Sequence, residues 1–376
     1  MVGHLSAFSH ASRIERRAQK IGDPIERLKY LRGVRTSTSR KSFLNWRWTA
    51  SLVLASGFAF FGTYDGLSRQ TMPSTPSSAT PVHYPVTDTP VAWPVEQNSQ
   101  YDLYSNGLRI ENTLEISGQP RSYSLIGRES GIPGPRRAQP AGIVFHMTES
   151  PQALFEPDQK STLKRIGQGL LVFVRNKRAY HFVIDRFGRV HRIVVESDMA
   201  NHAGNSVWAD SQWVYLNLNA SFIGVAFEAR TQADQPAVNE PQLHAAKLLT
   251  EMLRGKYNLP AENCVTHAQV SVNPDNMRIG WHTDWGNTFA FGELGLPDNY
   301  GIPNPALYLF GFEYDQAYKN STGPGLWKGL ASAEERLRQS AADRGLTTVQ
   351  YRKILQQRYK NARSALEDGS ADGEKI

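Results

Sequence analysis

The sequence predicts an α/β protein in which a central mixed β-sheet is flanked by helices, with an N-terminal membrane anchor and a C-terminal helical appendage. Three observations lead to this prediction. Between residues 142 and 286, short apolar strands mix with an amphipathic helix, a pattern typical of a sheet covered by helices. An uncharged apolar stretch occupies residues 49–64. Helical patterns fill most of the chain from residue 332 onward.

The basic charge of the chain is concentrated at its N-terminus. The 376 residues include 42 Lys+Arg and 35 Asp+Glu, which gives a net charge of +7. Residues 1–47 hold eleven basic and three acidic side chains, so the rest of the chain is nearly neutral. Because that remainder has no overall basic field to attract phosphates, no nucleic-acid partner is expected. The single cysteine, Cys264, excludes an intramolecular disulfide and a cysteine-rich zinc module.

The apolar stretch predicts a single transmembrane signal anchor at residues 48–64, behind a basic cytoplasmic tail at residues 1–47. Such a stretch spans roughly 24 Å as a helix, a little less than the ~30 Å hydrocarbon core, and Trp46, Trp48 and Tyr64 flank it as interfacial aromatics. The basic side favours a cytoplasmic N-terminus, so we expect an inner-membrane protein with its catalytic domain in the periplasm or outside. A buried core helix and a cleaved signal peptide are the alternatives; the latter lacks an Ala-x-Ala site.

Beyond the anchor, composition divides the chain into four further segments. Residues 65–100 are rich in Pro, Ser and Thr and predict an extended spacer. Residues 101–140 contain short alternating pieces that predict a small β-rich extension. Residues 141–312 are expected to form the catalytic domain. Residues 313–376 are expected to form a helical tail with two helical runs, one from the Ser-x-x-Glu capping box at Ser332 to Arg344 and a second from Thr348 to Leu366.

Within the expected catalytic domain, polar side chains follow apolar strands. The segment GIVFHMTES predicts a buried strand that ends at His146, and CVTH predicts a short strand that ends at His267. The segment YHFVIDRFGRVHRIV predicts a hairpin, and FIGVAFEA predicts a buried strand with Glu228 at its end. Apolar residues at helical spacing predict an amphipathic helix at residues 241–257, before Pro260.

Histidines are concentrated in this block and indicate a metal site. Seven of the ten histidines fall here, namely residues 146, 181, 191, 202, 244, 267 and 282. Two of them end strands, where side chains can meet at one rim of the sheet, and Asp284 in WHTDWG is a nearby acid. Zn²⁺ prefers His nitrogen together with Asp, Glu or Cys. From the residues alone, a metal hydrolase and a set of hydrogen-bonded structural histidines both stay open.

The ordered series FHMTES, YHFVIDRFGRV, NHAG, IGVAFE, TH and HTDWG resembles the zinc N-acetylmuramoyl-L-alanine amidases. This family is related to phage lysozyme-type amidases, bacterial anhydromuramyl amidases and peptidoglycan recognition proteins. The resemblance covers residues 142–286 and implies their fold, a zinc cofactor, a bacterial cell-wall setting and a peptidoglycan or muropeptide substrate.

The resemblance also implies roles for individual residues. It implies zinc bound by His146 and His267 with Asp284 as the third ligand. His282 is the alternative third ligand and otherwise replaces the family's lysine, whose cation stabilises the oxyanion. Two features depart from the family pattern: Trp285 stands where proline is usual, and the loop that leads to Asp284 is longer.

The implied reaction is hydrolysis of the amide between the lactyl group of N-acetylmuramic acid and L-alanine. Glu228 and Tyr180 are both expected near the metal. Glu228 is the better base because a carboxylate is already ionised at neutral pH, and Tyr180 would orient water or donate to the tetrahedral oxygen. Asn201 and His202 are expected to bind the sugar or the peptide stem. The alternative function is a binding module of the same fold that recognises muropeptide without cleaving it. The sequence leaves the oligomeric state open.

Overall fold

The computed structural model describes residues 91–231 and 238–371. The predicted tail (1–47), the predicted anchor (48–64) and most of the predicted spacer (65–100) lie outside these residues. Among the helices within the described ranges, none has the length and apolar character that a membrane span requires. Membrane anchoring therefore stays a prediction from the sequence.

The strands of the described ranges are, in chain order, β1 (Pro94–Gln97), β2 (Tyr101–Tyr104), β3 (Arg109–Glu111), β4 (Gln119–Pro120), β5 (Tyr123–Gly127), β6 (Pro133–Arg137), β7 (Gly142–Met147), β8 (Phe182–Ile184), β9 (Val190–Arg192), β10 (Asp198–Met199), β11 (Val207–Ala209), β12 (Trp213–Leu216), β13 (Phe222–Phe227), β14 (Cys264–Thr266), β15 (Val272–Asn273) and β16 (Arg278–Ile279). The α-helices are α1 (Lys160–Asn176), α2 (Leu218–Ser221), α3 (Glu240–Tyr257), α4 (His267–Val270), α5 (Pro305–Phe310), α6 (Gln316–Ser321), α7 (Pro324–Ala342) and α8 (Thr348–Ala371). Short 3-10 turns occupy Pro157–Gln159, Ala261–Asn263, Gly292–Leu294 and Asn299–Gly301.

The main sheet has eight strands in the order β1-β2-β3-β9-β8-β13-β7-β14. Strands β8, β13, β7 and β14 are parallel to one another, whereas β8 and β9 form an antiparallel hairpin. The predicted mixed α/β sheet is therefore confirmed. Strands β1 to β3 form the edge of this same sheet, and β5 and β6 join β11 and β12 in a second, antiparallel sheet. Strand β4 pairs with β10 in a separate two-stranded sheet, so the predicted β-rich extension (101–140) is divided among three sheets, because its strands find partners far along the chain.

The central strand β7 is buried on both faces, which explains its nearly continuous apolar sequence. Ile143 and Phe145 share an apolar cluster with Leu249 and Leu253 of α3. Side chains alternate along a strand, so His146 points to the opposite face of the sheet. Helix α1 covers part of that face: Leu171 and Val174 pack with Val183 and Ala226. His146 therefore lies between the sheet and the elements that cover its second face.

Helix α3 confirms the helix predicted at residues 241–257. Asn239 caps its N-terminus: its side chain accepts a hydrogen bond from the Gln242 N–H, and the Gln242 side chain accepts one from the Asn239 N–H. Asn258 ends the helix in the left-handed conformation. The Gln242 side chain also donates to the carbonyl oxygens of Ile184 and Glu228, 3.3 Å and 3.2 Å away. These bonds fix the helix against the strand ends that carry the site.

Helix α1 was not predicted from the sequence. Its buried side chains are Leu163, Leu171 and Val174, a sparse apolar face. Gly167 and Gly169 lie inside the helix, and glycine disfavours helix formation by about 1 kcal/mol relative to alanine. Packing on the sheet stabilises this helix where its local sequence signal is weak.

The C-terminal helices pack against the elements of the main sheet. Leu326 and Leu330 of α7 and Tyr359 of α8 belong to the same apolar cluster as the main sheet. Helix α8 confirms the second predicted helical run, but the predicted start at Ser332 is wrong, because Ser332 lies inside α7. Proline is favoured in the first turn of a helix, and Pro324, directly after Gly323, begins α7 eight residues earlier.

Candidate metal centre

Three predicted ligands meet at the carboxyl end of the parallel strands. His146 is the fifth residue of β7, His267 follows β14 as the first residue of α4, and Asp284 lies in the loop after β16. Strand β14 pairs with β7 in parallel, with Thr266 opposite Phe145, and this register brings the two histidines side by side. One ligand atom from each of the three residues lies within 4.8 Å of the others.

The carboxylate of Asp284 bridges the two histidines. Its Oδ1 atom lies 2.8 Å from Nδ1 of His267, and its Oδ2 atom lies 3.4 Å from Nδ1 of His146. The backbone N–H of Met147 also donates to Oδ2, at 3.3 Å. The Nε2 atom of His267 is buried without a hydrogen-bond partner among the described residues.

A chain of hydrogen bonds fixes the orientation and the tautomer of His146. Nε2 of His202 lies 3.2 Å from the carbonyl oxygen of Phe222, which can only accept, so this nitrogen carries the hydrogen. Nδ1 of His202 is then an acceptor, and Nε2 of His146, 3.1 Å away, donates to it. The lone pair of His146 is consequently on Nδ1, which faces Asp284. Two acceptors that face each other across this short gap provide a site for a cation.

The charges of the three residues match a zinc site. Burial, together with the neighbouring His267, lowers the pKa of His146 to about 4, so this ring is neutral near pH 7. Burial alone would raise the pKa of Asp284, but the two neighbouring histidines, His267 first, lower it well below its usual range. Two imidazole nitrogens and one ionised carboxylate are ligands that zinc prefers, and a catalytic zinc site uses three protein ligands. The residues present therefore fit zinc.

The structure separates the two alternatives for the third ligand. In the described ranges, the group of metal-ligating atoms contains Asp284 and does not contain His282. The exposed His282 ring instead stacks on His267, with ring centroids 4.5 Å apart and planes at 19°. His282 is therefore placed beside the centre, and its expected role in place of the family's lysine stays a prediction.

Tyr180 lies next to the centre as predicted. Its ring centroid is 5.1 Å from that of His146. Burial, with the nearby carboxylates of Asp284 and Glu149, raises the pKa of Tyr180, so the phenol stays protonated and can donate a hydrogen bond. Its backbone adopts φ of 63°, an uncommon conformation for a bulky residue and one that clusters at functional sites.

Glu228 follows β13 directly, but its contacts are with a different group of residues. Its carboxylate accepts a hydrogen bond from the Arg186 N–H at 3.2 Å. It lines a cavity of about 920 Å³ together with Asp185 and His191 of the β8–β9 hairpin. Burial raises the pKa of Glu228. Among the described residues its hydrogen bond is to the hairpin and not to the three metal ligands, so the expected role as base stays a prediction.

The two predicted substrate-binding residues lie in different environments. Asn201 is exposed, and its side chain donates to the Lys177 carbonyl oxygen at 3.0 Å. His202 is buried behind His146, a contact that the sequence motif did not reveal. Gly224 makes this packing possible, because a Cβ atom there would lie 2.6 Å from Cγ of His202. His202 thus positions His146, and its predicted contact with substrate stays a prediction.

Asn219 is a further residue that the sequence did not indicate. Its side-chain oxygen accepts hydrogen bonds from the N–H groups of His202, Ala203 and Gly204, at 2.9, 2.7 and 3.2 Å. Gly204 has φ of +53°, which explains the glycine of the NHAG motif. Asn219 lies 15 to 17 residues from its partners, so only the folded chain shows the connection.

Comparisons with known proteins found one matching family model and several similar solved structures. Residues 136–287 match the family model for N-acetylmuramoyl-L-alanine amidase. No curated protein sequence matches the chain significantly. Similar solved structures include AmpDH3 from Pseudomonas aeruginosa in complex with anhydromuramic pentapeptide, which is 22% identical, with 47% of this chain and 70% of that chain covered and a TM-score of 0.31.

Two further solved structures are similar. The amidase AmiD from E. coli, in complex with the substrate anhydro-N-acetylmuramic acid-L-Ala-D-gamma-Glu-L-Lys, is 21% identical, with coverages of 46% and 64% and a TM-score of 0.31. The Drosophila peptidoglycan recognition protein SD is 18% identical, with coverages of 42% and 84% and a TM-score of 0.26. The family match at residues 136–287 includes the ordered motifs and therefore confirms the predicted resemblance to the N-acetylmuramoyl-L-alanine amidases for this part of the chain.

Proposed function

We propose that the protein is a zinc-dependent hydrolase that cleaves the amide between the lactyl group of N-acetylmuramic acid and L-alanine in peptidoglycan or muropeptides. The observation that carries this proposal is the meeting of His146, His267 and Asp284 inside a domain of an amidase family. A module that only binds muropeptide would not need two histidines and a carboxylate whose ligand atoms all lie within 4.8 Å of one another.

The side chains around the centre suggest how the reaction proceeds. Zinc held by the three ligands would polarise the scissile carbonyl and make water a nucleophile near neutral pH. The protonated hydroxyl of Tyr180 donates a hydrogen bond to the oxygen that gains charge in the transition state. His282, at the exposed edge of His267, lies where it can assist the same oxygen.

Glu228 is the proposed proton carrier. Ala226 pairs with His146 on the neighbouring strand, and Glu228 lies two residues after Ala226. The Glu228 side chain therefore points to the same face of the sheet as His146. Its pKa is raised by burial, and a carboxyl group whose pKa moves toward neutrality can both accept and return a proton. Glu228 would take a proton from the attacking water and pass it to the departing amine of L-alanine.

We further propose that residues 48–64 anchor the enzyme in the inner membrane, with residues 1–47 in the cytoplasm and the catalytic domain in the periplasm or outside. The support is the charge asymmetry and the uncharged apolar stretch of the sequence. Membrane fractionation with protease protection of intact cells tests this topology. Recovery of the full-length chain in the soluble fraction would contradict it.

The catalytic proposal is tested by incubating the full chain, in detergent, with purified peptidoglycan. We expect new free amino termini of L-alanine, their loss with a chelator and their return with added zinc. His146→Ala should abolish both zinc content and cleavage. His244→Ala, an exposed histidine on α3, is the matched control and should leave both unchanged. Binding of peptidoglycan by the zinc-loaded protein without any cleavage would instead support the recognition module.

A further inference from the structure

The loop that carries Asp284 contains a residue in an unusual conformation. Trp285, directly after the ligand, has φ of 60°. A bulky side chain rarely adopts this left-handed conformation and keeps it only where the surroundings hold it. The Trp285 ring packs against Phe227 and Phe289, with centroid distances of 5.5 and 5.1 Å. Its carbonyl oxygen accepts a hydrogen bond from the Tyr300 hydroxyl.

The hydroxyl of Tyr300 is suited to hold this loop at any ordinary pH. Tyr300 is buried, and burial raises its pKa above the usual range of a phenol, so the hydroxyl remains a donor. The next residue of the loop, Gly286, is held by a second hydrogen bond. Its carbonyl oxygen accepts from the Gly323 N–H at 2.9 Å. The two residues that follow Asp284 are therefore both fastened by residues 300 and 323.

The turn that carries His267 is fastened from the same side. The Tyr318 hydroxyl donates to the Ala268 carbonyl oxygen at 2.9 Å, and the Ala268 N–H donates to the Asp284 carbonyl oxygen at 3.2 Å. The Asn304 side chain donates to the Gln269 carbonyl oxygen at 2.8 Å. The two ligand segments are thus joined to each other and to residues 300–323, which lie beyond the family match at 136–287.

His146, the remaining predicted ligand, needs no such support. His146 lies within β7, where strand pairing on both sides fixes its backbone. His267 and Asp284 lie just outside the sheet, on a short helix and a loop. We propose that Tyr300 and Tyr318 are positioning residues for the metal site, and that residues 300–323 hold His267 and Asp284 in the geometry that binds metal. This inference rests on the proposed function only in its assumption that the centre binds a metal.

The test compares full-length Tyr300→Phe and Tyr318→Phe with wild type. Each change removes one hydroxyl and keeps the ring. The matched control is Tyr314→Phe, which lies in the same segment and whose ring packs on Tyr318. We expect Tyr300→Phe to weaken Zn²⁺ binding, measured by competition with a chelator, by about tenfold. The visible absorption spectrum of the Co²⁺-loaded protein should also change, because that spectrum reports ligand geometry. Tyr318→Phe should act in the same direction, and the control should change neither readout.

Hydrogen exchange of the Gly286 and Ala268 amides, measured without metal, separates this inference from the proposed function. We expect faster exchange at these amides in Tyr300→Phe and Tyr318→Phe, with unchanged exchange in the strands of the main sheet. If wild type binds no zinc, the proposed function fails and the exchange data alone decide the inference. Unchanged zinc affinity, Co²⁺ spectrum and amide exchange in both folded variants would overturn it.

Discussion

Two groups of buried histidine and carboxylate residues lie on the main sheet and differ in how their carboxylate is satisfied. The metal corner comprises His146, His202, His267 and Asp284, and the hairpin corner comprises Asp185, Arg189, His191 and Glu228. Each contains one histidine nitrogen without a hydrogen-bond partner among the described residues. Each corner also pairs a buried histidine with an aspartate, so these two residue types alone do not distinguish the corners.

The two corners differ in the groups that surround their aspartate. Asp185 receives hydrogen bonds from the Phe187 and Arg189 N–H groups, the Arg189 side chain and Nε2 of His191, at 2.6 to 3.2 Å. These donors satisfy the carboxylate and close the hairpin turn. Asp284 instead faces the lone pair of His146. A carboxylate surrounded by donors stabilises a fold, whereas a carboxylate that faces another acceptor provides a site for a cation.

The sharpest test of this difference exchanges each aspartate for its neutral isostere. Asp284→Asn should lose zinc binding and detectable cleavage, with little change in the stability of the metal-free protein. Asp185→Asn should retain bound zinc but lower the free energy of unfolding by about 2 kcal/mol, because an amide cannot accept from every one of these donors. Zinc content and denaturant unfolding in the presence of a chelator measure the two effects. The comparison breaks if Asp185→Asn loses zinc as completely as Asp284→Asn.

A substitution at Glu228 tests whether this residue acts with the metal corner or only with the hairpin corner. If it carries the proton in catalysis, Glu228→Gln should lower kcat by about 10²- to 10⁴-fold and leave zinc content unchanged. The pH profile of kcat should also lose one limb in Glu228→Gln. A kcat equal to that of wild type would assign Glu228 wholly to the hairpin corner, as its contact with the Arg186 N–H alone would suggest.

His202 tests whether the hydrogen-bond chain sets the metal corner. His202→Phe removes the acceptor for Nε2 of His146 while filling similar space, so zinc affinity should fall by about 10- to 100-fold. Direct titration with a chelator as competitor measures this change. Unimpaired zinc affinity together with a raised KM would show that His202 acts mainly on substrate.

His181 lies outside both corners and tests a fully paired histidine. Burial and the neighbouring Arg121 lower its pKa to about 3, against an ordinary value of 6.5. Between these values the unfolded chain binds a proton that the folded chain does not, so stability falls as pH is lowered from 6.5 toward 3. The loss is at most about 1.4 kcal/mol per pH unit. Denaturant unfolding of metal-free wild type and His181→Gln across this range should show a shallower slope in the variant; equal slopes would contradict the assignment.

The sequence alone determined the elements that carry the site. Apolar strands that end at His146, Glu228 and His267 were predictable because strand and helix periods are local properties. The parallel pairing of β7 with β14 then brings two predicted ligands together. Helix α1 was missed because its glycines and sparse apolar face give a weak local signal. The start of α7 was misplaced because Pro324 begins the helix before the apparent capping box.

Only the tertiary structure decided how the site residues face one another. The lone pair of His146 is set by His202 and the Phe222 carbonyl, which come from other parts of the chain. Among the described residues, Asp284 and not His282 joins His146 and His267 in the candidate metal group, next to a left-handed turn at Trp285 that accepts a hydrogen bond from Tyr300. Strand periodicity depends on residues that are neighbours in the sequence, whereas hydrogen-bond direction depends on groups that meet only after folding. The sequence therefore indicates which residues are candidate metal ligands, and the fold determines how their ligand atoms face one another.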